Sequence, residues 1–186
     1  PRSTHCISSA ASDVYKRQVQ YNGHTTWFAT VVASGFDSLV NDRANRMSWP
    51  RGRRRYDIAM ALEAAKLRPL PFRIELDDQV IETDVTLVAV GNGTSYGGGM
   101  RICPNAILDD GLLDVTVVAA GGRLRLLRLS PTVYKGTHVD LPEVSTFRSR
   151  RVRLSAADIT AYADGDPVAP LPIDIDVVPG ALTVFA

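Results

Sequence analysis

Three stretches of the chain group residue types that could do chemistry. From Gly91 to Gly99 the sequence GNGTSYGGG places five glycines in nine residues, between the apolar runs Val85–Val90 and Leu112–Val118. Glycine is needed where backbone takes a positive φ or closely approaches another group, so this reads as a shaped surface. Shortly after comes the acidic turn Asp109-Asp110-Gly111. A tight turn can gather carbonyl oxygens and a carboxylate, the hard-oxygen set that Mg²⁺ accepts while keeping several waters. The third stretch, Ala163-Asp164-Gly165-Asp166-Pro167, offers carboxylates that could take a proton from a hydroxyl within hydrogen-bond reach. Taken singly, either acidic turn is also an ordinary polar turn between strands.

Other chemistries are poorly matched. The glycine run lacks the Gly-Lys-Ser/Thr ending of a P-loop, and its spacing is not that of a dinucleotide fingerprint. His24 and His138 have no neighbouring acid or cysteine suggesting a triad or zinc site, and read as surface or loop residues. Cys6 and Cys103 give neither a disulfide framework nor zinc-ligand spacing, which suits a reducing, intracellular setting.

The 186 residues suffice for one substantial core, and 45% hydrophobic with 22% charged residues is an ordinary globular balance. A net charge of +1 argues against nucleic acid as a partner. Basic residues cluster locally instead, at Arg51, Arg53, Arg54 and Arg55, and again at Arg148, Arg150, Arg151 and Arg153. Such runs read as solvated faces or as contacts with anionic lipid headgroups, each basic residue contributing roughly 1 kcal/mol there. No apolar run approaches the roughly 20 residues of a membrane-spanning helix. A cytoplasmic protein with peripheral contact at the inner membrane face is expected.

The elements that must position these residues are mostly strands. Residues 1–18 show neither helical nor strand periodicity, and SSAASDVYKRQ looks like translated sequencing-adapter read-through. They are set apart as a foreign or disordered segment, and 19–186 as the domain. Asn22-Gly23 marks a hairpin returning through Thr25–Ala33. Ser38–Met47 predicts a short helix, and 54–67, rich in Ala, Leu, Met and Glu, a clear one. Thereafter Phe72–Leu76, Val80–Thr83, Leu87–Val90, Leu113–Val118, Val144–Ser155, Ile173–Val177 and Ala181–Phe185 read as strands, whereas Leu124–Leu129 is ambiguous. The expected fold is mainly β, a sandwich with one or two helices inserted near its N-terminal part.

In combination the motifs are far more specific than any one alone. ASGFDS (33–38), VAVGNGTSYGGGMRICPNAILDDGLLDV (88–115), ADGDP (163–167) and VVPGAL (177–182) resemble the C-terminal domain of the soluble bacterial diacylglycerol kinase-like lipid kinases, relatives of the sphingosine and ceramide kinases. The resemblance covers Val19 to Ala186. It implies a β-sandwich supplying lipid contacts and a catalytic carboxylate, with ATP as co-substrate on a separate GGDGT-bearing domain. This sequence contains no GGDGT. It implies Asp110 as a Mg²⁺ ligand, joined by the backbone carbonyls of Ile107 and Leu112. Asp166 falls where the family usually has the glutamate proposed to take the proton from the lipid hydroxyl. An aspartate is one methylene shorter, and a displacement of about 1 Å can cost on the order of 10²-fold in rate. Asp164 is the second candidate. The chain alone is expected to be inactive as a kinase. A non-catalytic lipid-binding or interaction module on the same sandwich is the alternative.

Overall fold

The computed structural model describes residues 11–97 and 99–185. Eleven strands join in one continuous hydrogen-bonded sheet. They are β1 (Ala11–Tyr21), β2 (His24–Phe28), β3 (Val31–Gly35), β4 (Leu70–Glu75), β5 (Val80–Gly91), β6 (Leu113–Ala119), β7 (Val144–Ser149), β8 (Arg151–Ser155), β9 (Thr160–Ala163), β10 (Asp166–Pro170) and β11 (Ile173–Phe185). Their order is β10-β9-β3-β5-β4-β8-β11-β1-β2, with β6 added to β5 and β7 to β6. The fold class is the mainly-β sandwich expected from the sequence.

The long strand β5 links the layers. Its first half pairs with β4, from Val80↔Glu75 to Val85↔Leu70, and its second half with β3, from Leu87↔Gly35 to Gly91↔Val31. Side chains alternate across a strand. Val88 and Val90 therefore enter the core cluster formed by the strands, with Val115, Val152 and Ile175, while Leu87 and Ala89 face a second cluster beneath the helices. Burial on both faces explains why this stretch reads as an unbroken apolar run.

Three helices cover that second cluster: α1 (Phe36–Arg46), α2 (Arg53–Ala65) and α3 (Arg123–Lys135). The first two match the sequence expectation to within two residues. The third resolves the ambiguous LRLLRL stretch, burying Leu129 and Val133 and half-burying Leu126, and raises the helix number above the one or two expected. α1 can start abruptly because Gly35 sits at φ +95° and Ser38 Oγ accepts from Gly35 N–H at 3.1 Å.

Residues 1–10 of the segment set apart in the sequence lie outside the described residues. Residues 11–18 run in β1, where Gln18 pairs with Asp176 of β11 and Trp27 of β2. The Asn22-Gly23 hairpin forms as read, with both turn residues at positive φ. Its return strand is broken after Phe28, however, and resumes at Val31. Val144–Ser155 likewise divides, into β7 and β8.

Candidate functional site

One end of the sheet collects all three chemically suggestive stretches. The register runs from Ala163 of β9 to Val32 of β3, from Val31 to Gly91 of β5, from Gly91 to Asp114 of β6, and from Asp114 to Arg148 of β7. The loops leaving these positions therefore share an edge.

Asp164, at φ +52°, turns its carboxylate into the break between β2 and β3. It accepts from Ala29 N–H at 2.7 Å, Thr30 N–H at 2.9 Å, Val31 N–H at 3.2 Å and the Thr30 hydroxyl. Partial burial opposes ionisation, but these hydrogen bonds prevail and hold its pKa below the ordinary value. Two residues on, Asp166 begins β10 with an exposed side chain that has neither hydrogen bond nor ion pair among the described residues.

The glycine-rich loop docks against the same break. Asn92 and Gly93 donate their N–H groups to Thr30 O at 2.8 and 3.0 Å, and Asn92 Nδ2 donates to Ala29 O at 3.0 Å. Tyr96 and Met100 pair through reciprocal backbone bonds of 3.0 and 3.1 Å, closing a small hairpin whose Gly97 and Gly99 take positive φ. Gly91 meets the need for close approach: a Cβ there would lie 2.7 Å from Cys103 Sγ. Tyr96 hydrogen-bonds Asp37, in the first turn of α1. Asp37 is half-buried, with Oδ2 shielded from solvent and unpartnered, and desolvation lifts its pKa to about 6 against the lowering effect of Tyr96.

Beyond Cys103 the loop reaches the acidic turn. Asp110 Oδ1 accepts from Leu112 N–H at 2.9 Å across Gly111, at φ +73°, while Oδ2 takes the Arg148 guanidinium. Arg148 Nε also stands 3.8 Å from Asp114 Oδ1. The Leu112 carbonyl accepts from Nη2 of the buried Arg17 at 2.7 Å. Asp114 is buried with Oδ2 lacking a hydrogen-bond partner; desolvation raises its pKa, with the Arg17 charge acting against it.

By type the Asp110 and Asp114 carboxylates and the Leu112 carbonyl are the hard-oxygen donors a divalent cation takes, but here Arg148 holds Asp110 and Arg17 holds the Leu112 carbonyl. A divalent ion would exchange with Arg148 at Asp110. The Ile107 side chain is half exposed in the turn before Asp109. Among the described residues no cluster of three His, Cys, Asp or Glu could hold a metal.

Several arrangements escape a reading of the sequence. His138 is fully buried, its Nε2 3.0 Å from Ile102 O, rather than on the surface; burial lowers its pKa against the raising effects of Ile102 O and Asp140. Cys103 is a free thiol pushed up to about 12 by burial, unsuited to nucleophilic work. The second arginine run is largely neutralised: besides Arg148, Arg151 pairs with Asp176 at 2.7 Å and Arg153 with Asp174 at 2.8 Å. Thr30 lies in no motif, and Asp37, Asn92 and Asp114 lie within ASGFDS, GNGTSYGGG and DDGLLDV, which marked no role for them.

Fold and site together define a β-sandwich half-domain whose glycine loop and two acidic turns meet at one sheet end. Residues 30–186 match the family described as the YegS C-terminal NAD kinase beta sandwich-like domain, and the chain belongs to that family. It is 57% identical over 165 residues to a diacylglycerol kinase of Mycobacterium tuberculosis, covering 88% of this chain and 53% of that protein. It is 30% identical over 167 residues to a probable lipid kinase YegS-like protein of Stenotrophomonas maltophilia, covering 88% and 54%. A crystal structure of a diacylglycerol kinase from Bacillus anthracis shares the fold, with a TM-score of 0.58 at 18% identity over 94% of this chain and 53% of the other. The chain thus spans about half the length of the curated relatives it matches.

Proposed function

We propose that this chain is the lipid-binding, proton-accepting half of an ATP- and Mg²⁺-dependent lipid kinase that phosphorylates a lipid hydroxyl such as that of diacylglycerol. The reading rests above all on the turn at 163–166. Asp164 is consumed in anchoring the break between β2 and β3, which leaves Asp166 exposed with a carboxylate that has no partner among the described residues. As the lipid hydroxyl oxygen attacks the γ-phosphorus of ATP, the bond from that phosphorus to the β,γ-bridging oxygen breaks, ADP leaves, and the hydroxyl proton would pass to Asp166. Phosphoryl transfer otherwise asks the protein chiefly for positioning and charge stabilisation. Asp110, with the carbonyls of Ile107 and Leu112, would hold Mg²⁺, which supplies charge neutralisation and order at this corner. ATP would be held by the part of the relatives' length that this chain does not span.

A cavity of about 330 Å³ between α1, α2 and β4 supports a lipid substrate. Phe36, Leu39, Leu67 and Leu70 line it with apolar surface, while Lys66 and Arg68 stand at its polar side. Sites of this size and polarity suit a mostly apolar ligand with a polar end.

The test joins this chain to the N-terminal half of the Mycobacterium tuberculosis relative and follows ATP-dependent phosphorylation of diacylglycerol. The fusion should turn over, the chain alone should not, and Asp166→Ala should abolish turnover in the fusion without changing its melting temperature. Full turnover by the Asp166→Ala fusion would overturn the assignment of the base.

A further inference from the structure

The cavity between α1, α2 and β4 has apolar walls but a charged rim, and the charges on that rim are unequal. Arg43 of α1 reaches across to Glu63 of α2, Nε donating to Oε1, and both line the cavity. The Glu63 side chain is 12% exposed and that of Arg43 30%, so the pair is partly withdrawn from water. Charges there act on one another more strongly than at a free surface. Glu63 is the one acidic residue on the lining among the described residues. Lys66 and Arg68 complete the polar side; both are exposed, and neither has an acidic partner among the described residues. Asp42, next to Arg43 in α1, is already tied to Arg46 at 2.8 Å.

A polar group that enters with an apolar chain therefore meets three cations and one carboxylate, and that carboxylate is already answered. An ammonium finds no free partner and is repelled by Lys66 and Arg68. A hydroxyl or ester end can accept hydrogen bonds from the same donors, and a carboxylate or phosphate end accepts charge-assisted ones. Rejection by an unpaired like charge separates ligands without any close fit to the accepted one. A clasp between α1 and α2 that served stability alone would need only the Arg43–Glu63 pair. The excess cations at 66 and 68 lie outside it.

We propose that this cavity selects lipids by the charge of their polar end: it admits an apolar chain ending in a neutral or anionic group and rejects one ending in an ammonium. Arg43 acts by denying Glu63 to a cation, and Lys66 and Arg68 act by repelling it. The inference rests on the reading of this cavity as a lipid site and deepens it, because it separates glycerolipids from amine-bearing lipid alcohols such as sphingoid bases. The residues that decide between them stand on α1, α2 and the segment leading into β4, apart from both acidic turns.

The experiment is calorimetric titration of the 186-residue chain at neutral pH with three amphiphiles of equal chain length, each below its micellar concentration: decanoate, 1-decanoylglycerol and decylammonium. The first two should bind, and decylammonium should bind at least roughly tenfold more weakly. Leu39→Trp or Leu67→Trp, each of which fills the cavity, should abolish the binding and so locate it. Arg43→Gln with Lys66→Gln leaves Glu63 facing Arg68 alone. It should raise decylammonium affinity by roughly tenfold and lower that of decanoate. Lys66→Gln with Arg68→Gln changes exposed side chains and keeps the clasp; it should weaken decanoate and leave 1-decanoylglycerol nearly unchanged. Melting temperatures are followed alongside. A clasp that is purely structural would lose stability in the Arg43→Gln variant and keep the same ratio of affinities, and that result would overturn the proposal. So would equal affinity for the three amphiphiles, binding of none, or binding that survives both tryptophan substitutions. The assay uses no nucleotide, so failure of the kinase reading would appear as a fusion without turnover, independently of these ratios.

Discussion

The Asp164 carboxylate grips Thr30 twice, accepting from its backbone N–H at 2.9 Å and from its hydroxyl, across 134 residues of sequence. This contact separates the roles of two aspartates that look alike in the sequence. Asp164 fastens the β9–β10 turn to the β2–β3 break, whereas Asp166 keeps an exposed carboxylate with no partner among the described residues.

Asp164→Ala should therefore destabilise the fold, by about 2 kcal/mol, the measure of several partly exposed bonds to one charged group. Its folded pKa lies below the ordinary value of 3.8, so the stability it contributes is present above that value and lost as pH falls through the folded pKa. Denaturation curves of wild type and variant should differ most near neutrality and converge in acid. Asp166→Ala should shift neither curve, and a comparable loss there would contradict the division of roles.

What the sequence could and could not reveal follows from the range of each interaction. The hairpin at Asn22-Gly23, the apolar second half of β5 and the helix-forming composition of α2 are local properties and were readable, whereas the sequence divided β5 into two strands, 80–83 and 87–90, that the structure joins as Val80–Gly91. The break at Ala29-Thr30 was not readable, because it depends on a carboxylate 134 residues away. In α3, Pro131 and the short LRLLRL repeat concealed a helical face that emerges only when Leu126, Leu129 and Val133 are taken together. His138 looked like a loop residue because its partner, the Ile102 carbonyl, belongs to another segment. Arg148 read as part of a basic run, and its role appears only once β7 is placed beside β6.

Burial of Asp37 gives the second prediction. Its pKa rises from 3.8 to about 6, so the folded state binds a proton that the unfolded chain has released between those values. Its favourable contribution is complete below 3.8 and disappears as pH rises through about 6. Asp37→Asn keeps an acceptor for Tyr96 without the buried charge. It should be more stable than wild type near neutrality, by about 2 kcal/mol, with the gap closing below about pH 4. Chemical denaturation at both pH values checks this, and a gap independent of pH would count against it.

If Asp110 holds Mg²⁺ as proposed, the ion must displace the Arg148 guanidinium that pairs with it. Mg²⁺ that binds the folded chain raises its melting temperature by mass action. Asp110→Asn should abolish that rise. Arg148→Gln should move it to lower Mg²⁺ concentrations, because the carboxylate no longer has to be vacated by a guanidinium. Scanning calorimetry across a Mg²⁺ titration distinguishes the variants, and an unchanged response in Asp110→Asn would remove the ion from this corner.

The motif residue Gly35 is subject to two constraints that a second glycine can separate. At φ +95° it occupies a region that L side chains rarely adopt, and a Cβ there would stand 2.8 Å from the Thr86 carbonyl oxygen. That oxygen is backbone of β5, at the register shift between Val85 and Leu87, so it cannot swing aside as a flexible side chain would. Gly23 shares the positive φ, at +79°, but has nothing within 4 Å of an added Cβ. Gly23→Ala should therefore cost only the conformational penalty, about 1 kcal/mol. Gly35→Ala adds a clash at the start of α1 and should cost about 3 kcal/mol. Urea denaturation of the two variants measures the difference. Equal losses would mean that α1 shifts freely on β5, and that the junction joining helix to sheet is not the fixed point that the 2.8 Å approach implies.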